Sequence, residues 1–154
     1  MTPVEETVED LADLYLAERS TRGSAKTHIQ RVRDRRARSL RSGVPKAAAA
    51  RLLGVSVNTL DKWIARGRIG TVTSSRSRRE LVEPHHLAKL LVHVRVLRQQ
   101  GSTDGVLAVA IEALERDDQT YRREFDELYG ASLRALESGD VKPLQLPDSF
   151  GPED

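Results

Sequence analysis

The 154-residue sequence predicts a mainly α-helical fold: a helix-turn-helix, a two-stranded β wing after it, and flanking helices. Three observations predict it. Apolar residues recur at helical spacing through most of the chain. Gly54 separates two short helical stretches, as the turn of a helix-turn-helix requires. Two short apolar pairs within 69–82 surround a polar turn of Thr, Ser and Arg, which is typical of a hairpin.

Residues 1–43 predict a helical extension that is first acidic and then rich in arginine. Thr7 can cap a helix that runs to about Arg19. The stretch 20–24 breaks this helix. A second helix is expected over Ala25–Arg41, with only a thin apolar edge.

Residues 44–101 carry the helix-turn-helix and the wing. A short helix is expected over Lys46–Leu53. Ser56 can cap a second helix that runs from Val57 to about Arg66. The hairpin follows, and a long helix then runs from Pro84 to about Gln100. The buried stripe of this long helix is expected to be Leu87, Leu90, Leu91, Val94 and Leu97.

Residues 102–137 predict two further helices, Val106–Glu115 and roughly 118–137, which form a candidate dimer or partner surface. The acidic tail 138–154 contains Gly and Pro and is expected to be disordered.

The second helix of the motif has two chemically different faces. At 100° per residue, an apolar face is expected to hold Val57, Leu60 and Ile64. The opposite face carries side chains that can hydrogen-bond base edges and phosphates: Asn58, Thr59, Lys62 and Arg66. Ser56 can add contacts at the helix N-terminus.

Asp61 lies on the flank of this helix, nearer its apolar side. A carboxylate there would be repelled by phosphate unless a cation neutralises it. We expect a pair with Arg51 or Lys46 of the preceding helix, or with Arg66 of its own helix.

The formal net charge of +2 conceals strong segregation. Residues 1–18 carry six acids and no base, whereas residues 19–83 carry seventeen bases and four acids. Residues 102–154 carry thirteen acids and five bases. A basic centre between acidic ends indicates a polyanion site. For the arginine-rich helix three roles stay open: an extended DNA footprint, a docking site for an acidic partner, or a solvated face.

Several classes of function are not expected. The chain has no cysteine, which excludes disulfides and cysteine-ligated metal. His86 and His93 share a helix face, but no carboxylate completes a ligand set, so no metal site is expected. No phosphate loop, nucleophile elbow or paired catalytic carboxylates occur, so no enzyme, catalytic residue or cofactor is expected. Without a long apolar run or a signal segment, we expect a cytoplasmic, nucleoid-associated protein.

The order of these features resembles a known group. The stretches "AARLLGVSVNTLDKWIARGRI" and "LVEPHHLAKLLVHVRVLRQQGSTDGVLAVAIEALE", with a basic hairpin between them, resemble the winged helix-turn-helix of MerR-type regulators and excisionase-type proteins over about 45–115. The resemblance implies a second helix in the major groove and a wing on the adjacent backbone. It points to Ser56, Asn58, Thr59, Lys62 and Arg66 on the helix, and to Arg68, Arg76, Arg78 and Arg79 on the wing.

Two departures limit the resemblance. About 43 residues precede the winged domain. MerR-type proteins often end in a long dimer-forming helix and an effector site, whereas here the last helix is expected to be short and no cysteine is present for metal sensing. The metal or drug sensing of MerR-type proteins is therefore not carried over.

The leading hypothesis is a sequence-specific transcription regulator that binds double-stranded DNA as a homodimer. One alternative is an antitoxin-like protein that neutralises a partner protein through its N-terminal or C-terminal helices and represses its own operon. Another is an excisionase-like architectural factor that bends DNA.

Overall fold

The computed structural model describes residues 1–73 and 78–137. Within those ranges it is mainly helical, with one two-stranded antiparallel sheet. The chain forms two compact units, Met1–Glu115 and Arg116–Asp154. The helices and strands are α1 Pro3–Arg19, α2 Ser24–Ala37, a 3₁₀ turn Arg38–Leu40, α3 Lys46–Leu53, α4 Val57–Ala65, β1 Thr71–Thr73, β2 Glu80–Val82, α5 Pro84–Gln99 and α6 Val106–Glu137.

The first helix begins earlier than its sequence predicts. Thr2 is the N-cap: its hydroxyl accepts from the Glu5 backbone N–H, and the Glu5 carboxylate accepts from the Thr2 N–H. This capping box satisfies two end donors at once, and Pro3 suits the first helical position. The prediction of Thr7 as the cap is therefore wrong, since the Thr7 hydroxyl donates to the Pro3 carbonyl within the helix.

The helix α1 belongs to the main core. Val8 and Leu11 are fully buried and Ala12 is nearly so. They join one apolar cluster with residues of α3, α4, α5 and the start of α6. The stripe predicted for α5 contributes Leu87, Leu90, Leu91 and Val94 to this cluster, with Leu97 partly buried against it. The extension before residue 44 is therefore packed into the same core as the predicted DNA-binding segment.

The arginine-rich helix α2 attaches to α1 mainly through charged groups, since none of its residues is buried. Arg33 pairs with Glu18 and lies 4.5 Å from the centre of the Tyr15 ring, while Arg36 pairs with Asp10 at 3.0 Å. The helix ends at Ala37 and a 3₁₀ turn replaces the last helical turn expected up to Arg41.

The predicted hairpin strands are present as β1 and β2, which pair in antiparallel register with Val72 opposite Leu81. Val44 adds a bridge to β2, because its N–H donates to the Val82 carbonyl at 2.9 Å and its carbonyl accepts from the Val82 N–H at 2.8 Å. The segment after the 3₁₀ turn is thereby fixed to the sheet.

The C-terminal part differs from its prediction. One helix, α6, covers the range where two helices were expected, because no proline or glycine lies between Glu115 and residue 118 to end the first. The expectation of a short last helix is therefore wrong, since α6 has 32 residues. The tail 138–154 lies outside the described residues.

Among the helices described, none has the length and apolar character needed to cross a membrane.

Candidate nucleic-acid interface

The turn between α3 and α4 is held tightly. Gly54 adopts the left-handed conformation at φ +70°, which is costly for residues with a Cβ atom. The Gly54 N–H donates to the Arg51 carbonyl, and the Val55 N–H donates to the Ala50 carbonyl. These two hydrogen bonds close the C-terminal end of α3. The Arg98 guanidinium of α5 donates to the Leu53 carbonyl at 2.7 Å, so this turn is also bound to the core helix.

The helix α4 has one buried anchor. Leu60 is fully buried and Ile64 is partly buried against the core. Val57 was expected on the same face but is 39% exposed. It is the first residue of α4, one turn before the buried Leu60, so its side chain lies at the N-terminal end of the helix.

The polar face of α4 is exposed where the sequence predicts. Asn58, Lys62 and Arg66 are exposed, whereas Thr59 is partly buried. Thr59 also lines a cleft of about 610 Å³ between α4 and the connection from α5 to α6. Asn58 and Lys62 thus form the open centre of this face.

Ser56 is the N-cap of α4, as predicted. Its hydroxyl accepts from the Thr59 N–H at 3.1 Å and lies 3.0 Å from the Thr59 hydroxyl. One end donor of α4 is satisfied in this way, and the remaining N–H groups of the first turn point out of the helix end.

Asp61 forms an ion pair with the preceding helix. Lys46 Nζ lies 2.8 Å from Asp61 Oδ1 and 3.1 Å from Glu80 Oε1, so one ammonium joins α3, α4 and β2. Hydrogen bonds to Asp61 first and Glu80 second raise the pKa of Lys46 above its usual value. The expected pair with Lys46 is confirmed. The pair with Arg51 is wrong, because Arg51 contacts Glu5 of α1 at 2.5 Å.

The third acid of residues 44–83 is also used internally. The Glu83 carboxylate caps α5 by accepting from the His85 N–H at 2.9 Å and the His86 N–H at 2.7 Å. All three acids of this segment therefore have internal partners, and the exposed cations of the segment face solvent without a matching excess of negative charge.

Arg66 and Arg68 flank Trp63, each with its guanidinium 5.1 Å from the ring centre. They differ in their other contacts. Arg68 donates to both carboxylate oxygens of Glu115, at 2.8 and 2.9 Å. This two-pronged contact raises the pKa of Arg68 and lowers that of Glu115. Arg68 therefore links the segment between α4 and β1 to α6, while Arg66 stays exposed.

Of the arginines predicted on the wing, Arg78 and Arg79 are exposed and immediately precede β2. Arg78 has a φ of +50°, which is uncommon outside glycine and typical of a tight turn. Arg76 lies outside the described residues.

The histidines have other contacts. His85 Nδ1 lies 2.6 Å from the Tyr15 hydroxyl, and burial raises the pKa of Tyr15 to about 12. Arg19 approaches His93 at 3.4 Å. In the part of the chain that the structure describes, no three His, Asp or Glu side chains are grouped to hold a metal ion.

Two features of this surface are missed by sequence reasoning. Exposed Val57 can offer a methyl surface beside Asn58, and Lys46 links α4 to β2. The first was hidden because helical spacing alone does not show that a residue at the start of a helix lies beyond the buried contact. The second could have been found from the antiparallel register, which places Lys46 opposite Glu80 once Val44 pairs with Val82.

No protein-family model matches the chain, and comparisons with curated proteins and with solved structures found no match.

Proposed function

We propose that the chain is a sequence-specific regulator of transcription that binds double-stranded DNA. In this proposal α3, the turn at Gly54 and α4 act as a helix-turn-helix, and β1 and β2 act as its wing. The helix α4 enters the major groove, and Arg78 and Arg79 contact the neighbouring phosphates. A location on the nucleoid would follow from this function.

One observation carries the proposal. The solvent side of α4 presents an amide, an ammonium and an exposed apolar side chain together, at Asn58, Lys62 and Val57. An amide can make a bidentate contact with N6 and N7 of adenine, an ammonium can bond guanine or phosphate, and an apolar side chain can contact the thymine methyl. Lys46, 2.8 Å from Asp61 Oδ1, weakens the repulsion between this carboxylate and phosphate.

The two predicted contacts beside this centre receive different assignments. We assign Arg66 to phosphate, since it is exposed at the end of α4. We assign Arg68 to holding α6, since a contact with phosphate would require it to break both of its hydrogen bonds to Glu115. A single winged unit reads a short site, so a homodimer on a palindromic operator is the expected assembly.

Selection of binding sites from random double-stranded DNA tests the proposal. The full chain should enrich a motif with two related half-sites. Failure to enrich any motif, with folded protein and at low salt, would refute sequence-specific binding.

Asn58→Ala then tests α4 as the reading helix. On the best selected site, the variant should lose about 1–3 kcal/mol of binding free energy and relax base preference at one position per half-site. Arg79→Gln is the control, because loss of a phosphate contact should weaken all sequences about equally. An unchanged base preference in Asn58→Ala would remove α4 from the groove.

The antitoxin-like and excisionase-like alternatives stay predictions. The former rests on the acidic and arginine-rich N-terminal helices and on the acidic C-terminal part. Five of the six acids of α1 have partners within the chain, which leaves this helix little free negative charge for a partner: Glu5 contacts Arg51, Asp10 contacts Arg36, Glu9 and Asp13 contact Arg95, and Glu18 contacts Arg33. We therefore favour the regulator.

A further inference from the structure

A row of arginines lies on the side of α2 that faces away from α1. Arg31, Arg35 and Arg38 are all exposed and lie within about 60° around the helix axis. Arg41 extends the row beyond the 3₁₀ turn and is also exposed. The arginines that hold α2 to α1, Arg33 and Arg36, lie on the other side.

The charges of this row are not balanced locally. None of the four side chains pairs with an acid among residues 1–73 and 78–115, and Asp34, the one acid of residues 19–42, pairs with Arg33. Like charges three and four residues apart destabilise a helix by a few tenths of a kcal/mol per pair. The row therefore carries a small cost in the free protein that a polyanion would remove.

The chemistry of the row favours phosphate over a protein surface. Protein interfaces have an apolar or aromatic centre. The side of α2 that carries the arginines also holds Ser24, Thr27, His28 and Asp34, and the exposed Val32 lies at its border. One exposed valine does not form an apolar centre, whereas guanidinium groups in series match the oxygen acceptors of a nucleic-acid backbone.

The row also has a fixed connection to the wing. Gly43, two residues after Arg41, approaches so closely that a Cβ atom there would lie 2.5 Å from Val72 Cγ2 and 2.7 Å from Leu81 Cβ. The next residue, Val44, pairs with β2. The end of the row is thereby held at the β1–β2 pair rather than on a loose linker.

We infer that the arginine row of α2 and the 3₁₀ turn is a second DNA-backbone surface, which extends the contact beyond the wing along the same duplex. This inference rests on the proposed function and assigns a partner to a helix that the function itself does not use. From Arg31 to Arg41 the row is about 16 Å long, from the rises of an α-helix and a 3₁₀ turn. With four guanidinium groups, the row can contact at most about four phosphates.

The test compares two variants of equal net charge. Arg31→Gln/Arg35→Gln removes two members of the row, whereas Arg116→Gln/Arg123→Gln removes two exposed arginines from an acid-rich part of α6. Binding of the full chain to a 40-base-pair duplex of random sequence is measured against NaCl concentration, with circular dichroism to show that each variant is folded.

For the row variant, we expect the slope of log affinity against log salt to fall in magnitude by about 1.8, and affinity at 0.1 M NaCl to fall about 60-fold when the two lines meet near 1 M NaCl. The α6 variant should keep the wild-type slope. On a selected site, hydroxyl-radical protection should shorten at one flank of each half-site in the row variant only, while base preference is unchanged.

Each contrary result has its own meaning. An unchanged slope in the row variant overturns this inference and leaves the proposed function standing. If the slope falls equally in both variants, the inference is also overturned, because the net charge of the protein alone would then explain the loss of DNA affinity. If the row variant keeps the wild-type slope on DNA but no longer binds immobilised polyglutamate, the row is a binding site for an acidic protein instead. If the wild-type chain binds no duplex at any salt, the inference and the proposed function both fail.

Discussion

Gly43 shows how a single residue fixes the two basic parts of the chain relative to each other. Its φ is +97°, and its Cα lies so close to Val72 and Leu81 that no side chain fits. Glycine therefore meets two separate demands here, one on backbone conformation and one on space.

Substitution of Gly43 by alanine should be markedly destabilising. We expect a loss of about 1–2 kcal/mol from the left-handed backbone and a further 1–3 kcal/mol from the clash with the β1–β2 pair. Gly67→Ala is the matched control, since Gly67 also has a positive φ, +70°, but its Cβ would meet nothing within 4 Å. Urea denaturation measures both. If Gly67→Ala cost as much as Gly43→Ala, the close approach to β1 and β2 would have no energetic role.

At the scale of elements, α1 is joined to α3 by a charged contact as well as by the core. Glu5 caps α1 and binds Arg51, and its side chain is nearly buried. The hydrogen bond from the Thr2 N–H, followed by that from Arg51, lowers the pKa of Glu5 below 4.5. Because the folded-state pKa is lowered, the contact stabilises the protein above about pH 4.5 and is lost as pH falls through the folded value.

We therefore expect Glu5→Gln to lower the free energy of unfolding at pH 7 and to make its decline below pH 4.5 shallower than in the wild type. Glu6→Gln is the control, as the neighbouring Glu6 is exposed in the same first turn. Unfolding midpoints between pH 3 and pH 7 give the comparison. An equally steep decline in Glu5→Gln and the wild type would show that this carboxylate is not linked to folding.

The elements themselves were predictable where local chemistry decides them. The apolar stripe of α5, the glycine turn after α3 and the Ser56 cap all depend on residues close together in sequence. The errors arise where two candidate signals compete. Thr2 with Glu5 forms a reciprocal cap, which Thr7 alone cannot match.

The candidate site was predictable in part. The exposure of Asn58 and Lys62 follows from helical periodicity. The pairing of Arg68 with Glu115 joins residues 47 apart in sequence, and such a contact depends on tertiary packing that no local pattern encodes. The same is true of Lys46 and Glu80.

At the scale of the whole molecule, the segment before residue 44 does not behave as an arm attached to the outside of a separately folded winged domain. Its helix α1 places two fully buried side chains, Val8 and Leu11, in the cluster that also holds Leu60 of α4. An arm that only carried a partner site would not need this burial. The N-terminal helices and the predicted DNA-binding segment should therefore unfold together.

The single tryptophan makes this cooperativity measurable, because Trp63 lies on α4 and reports on the predicted reading helix. Leu11→Ala should cost about 2–5 kcal/mol, as is usual when a buried leucine is shortened. Its unfolding midpoint by Trp63 fluorescence should fall together with the midpoint by circular dichroism. Leu16→Ala, in the same helix but at a site 49% exposed, should change either midpoint little. A Trp63 midpoint that stays at the wild-type value in Leu11→Ala would mean that α1 unfolds separately, and that the position of the arginine row is set by Gly43 and Val44 alone.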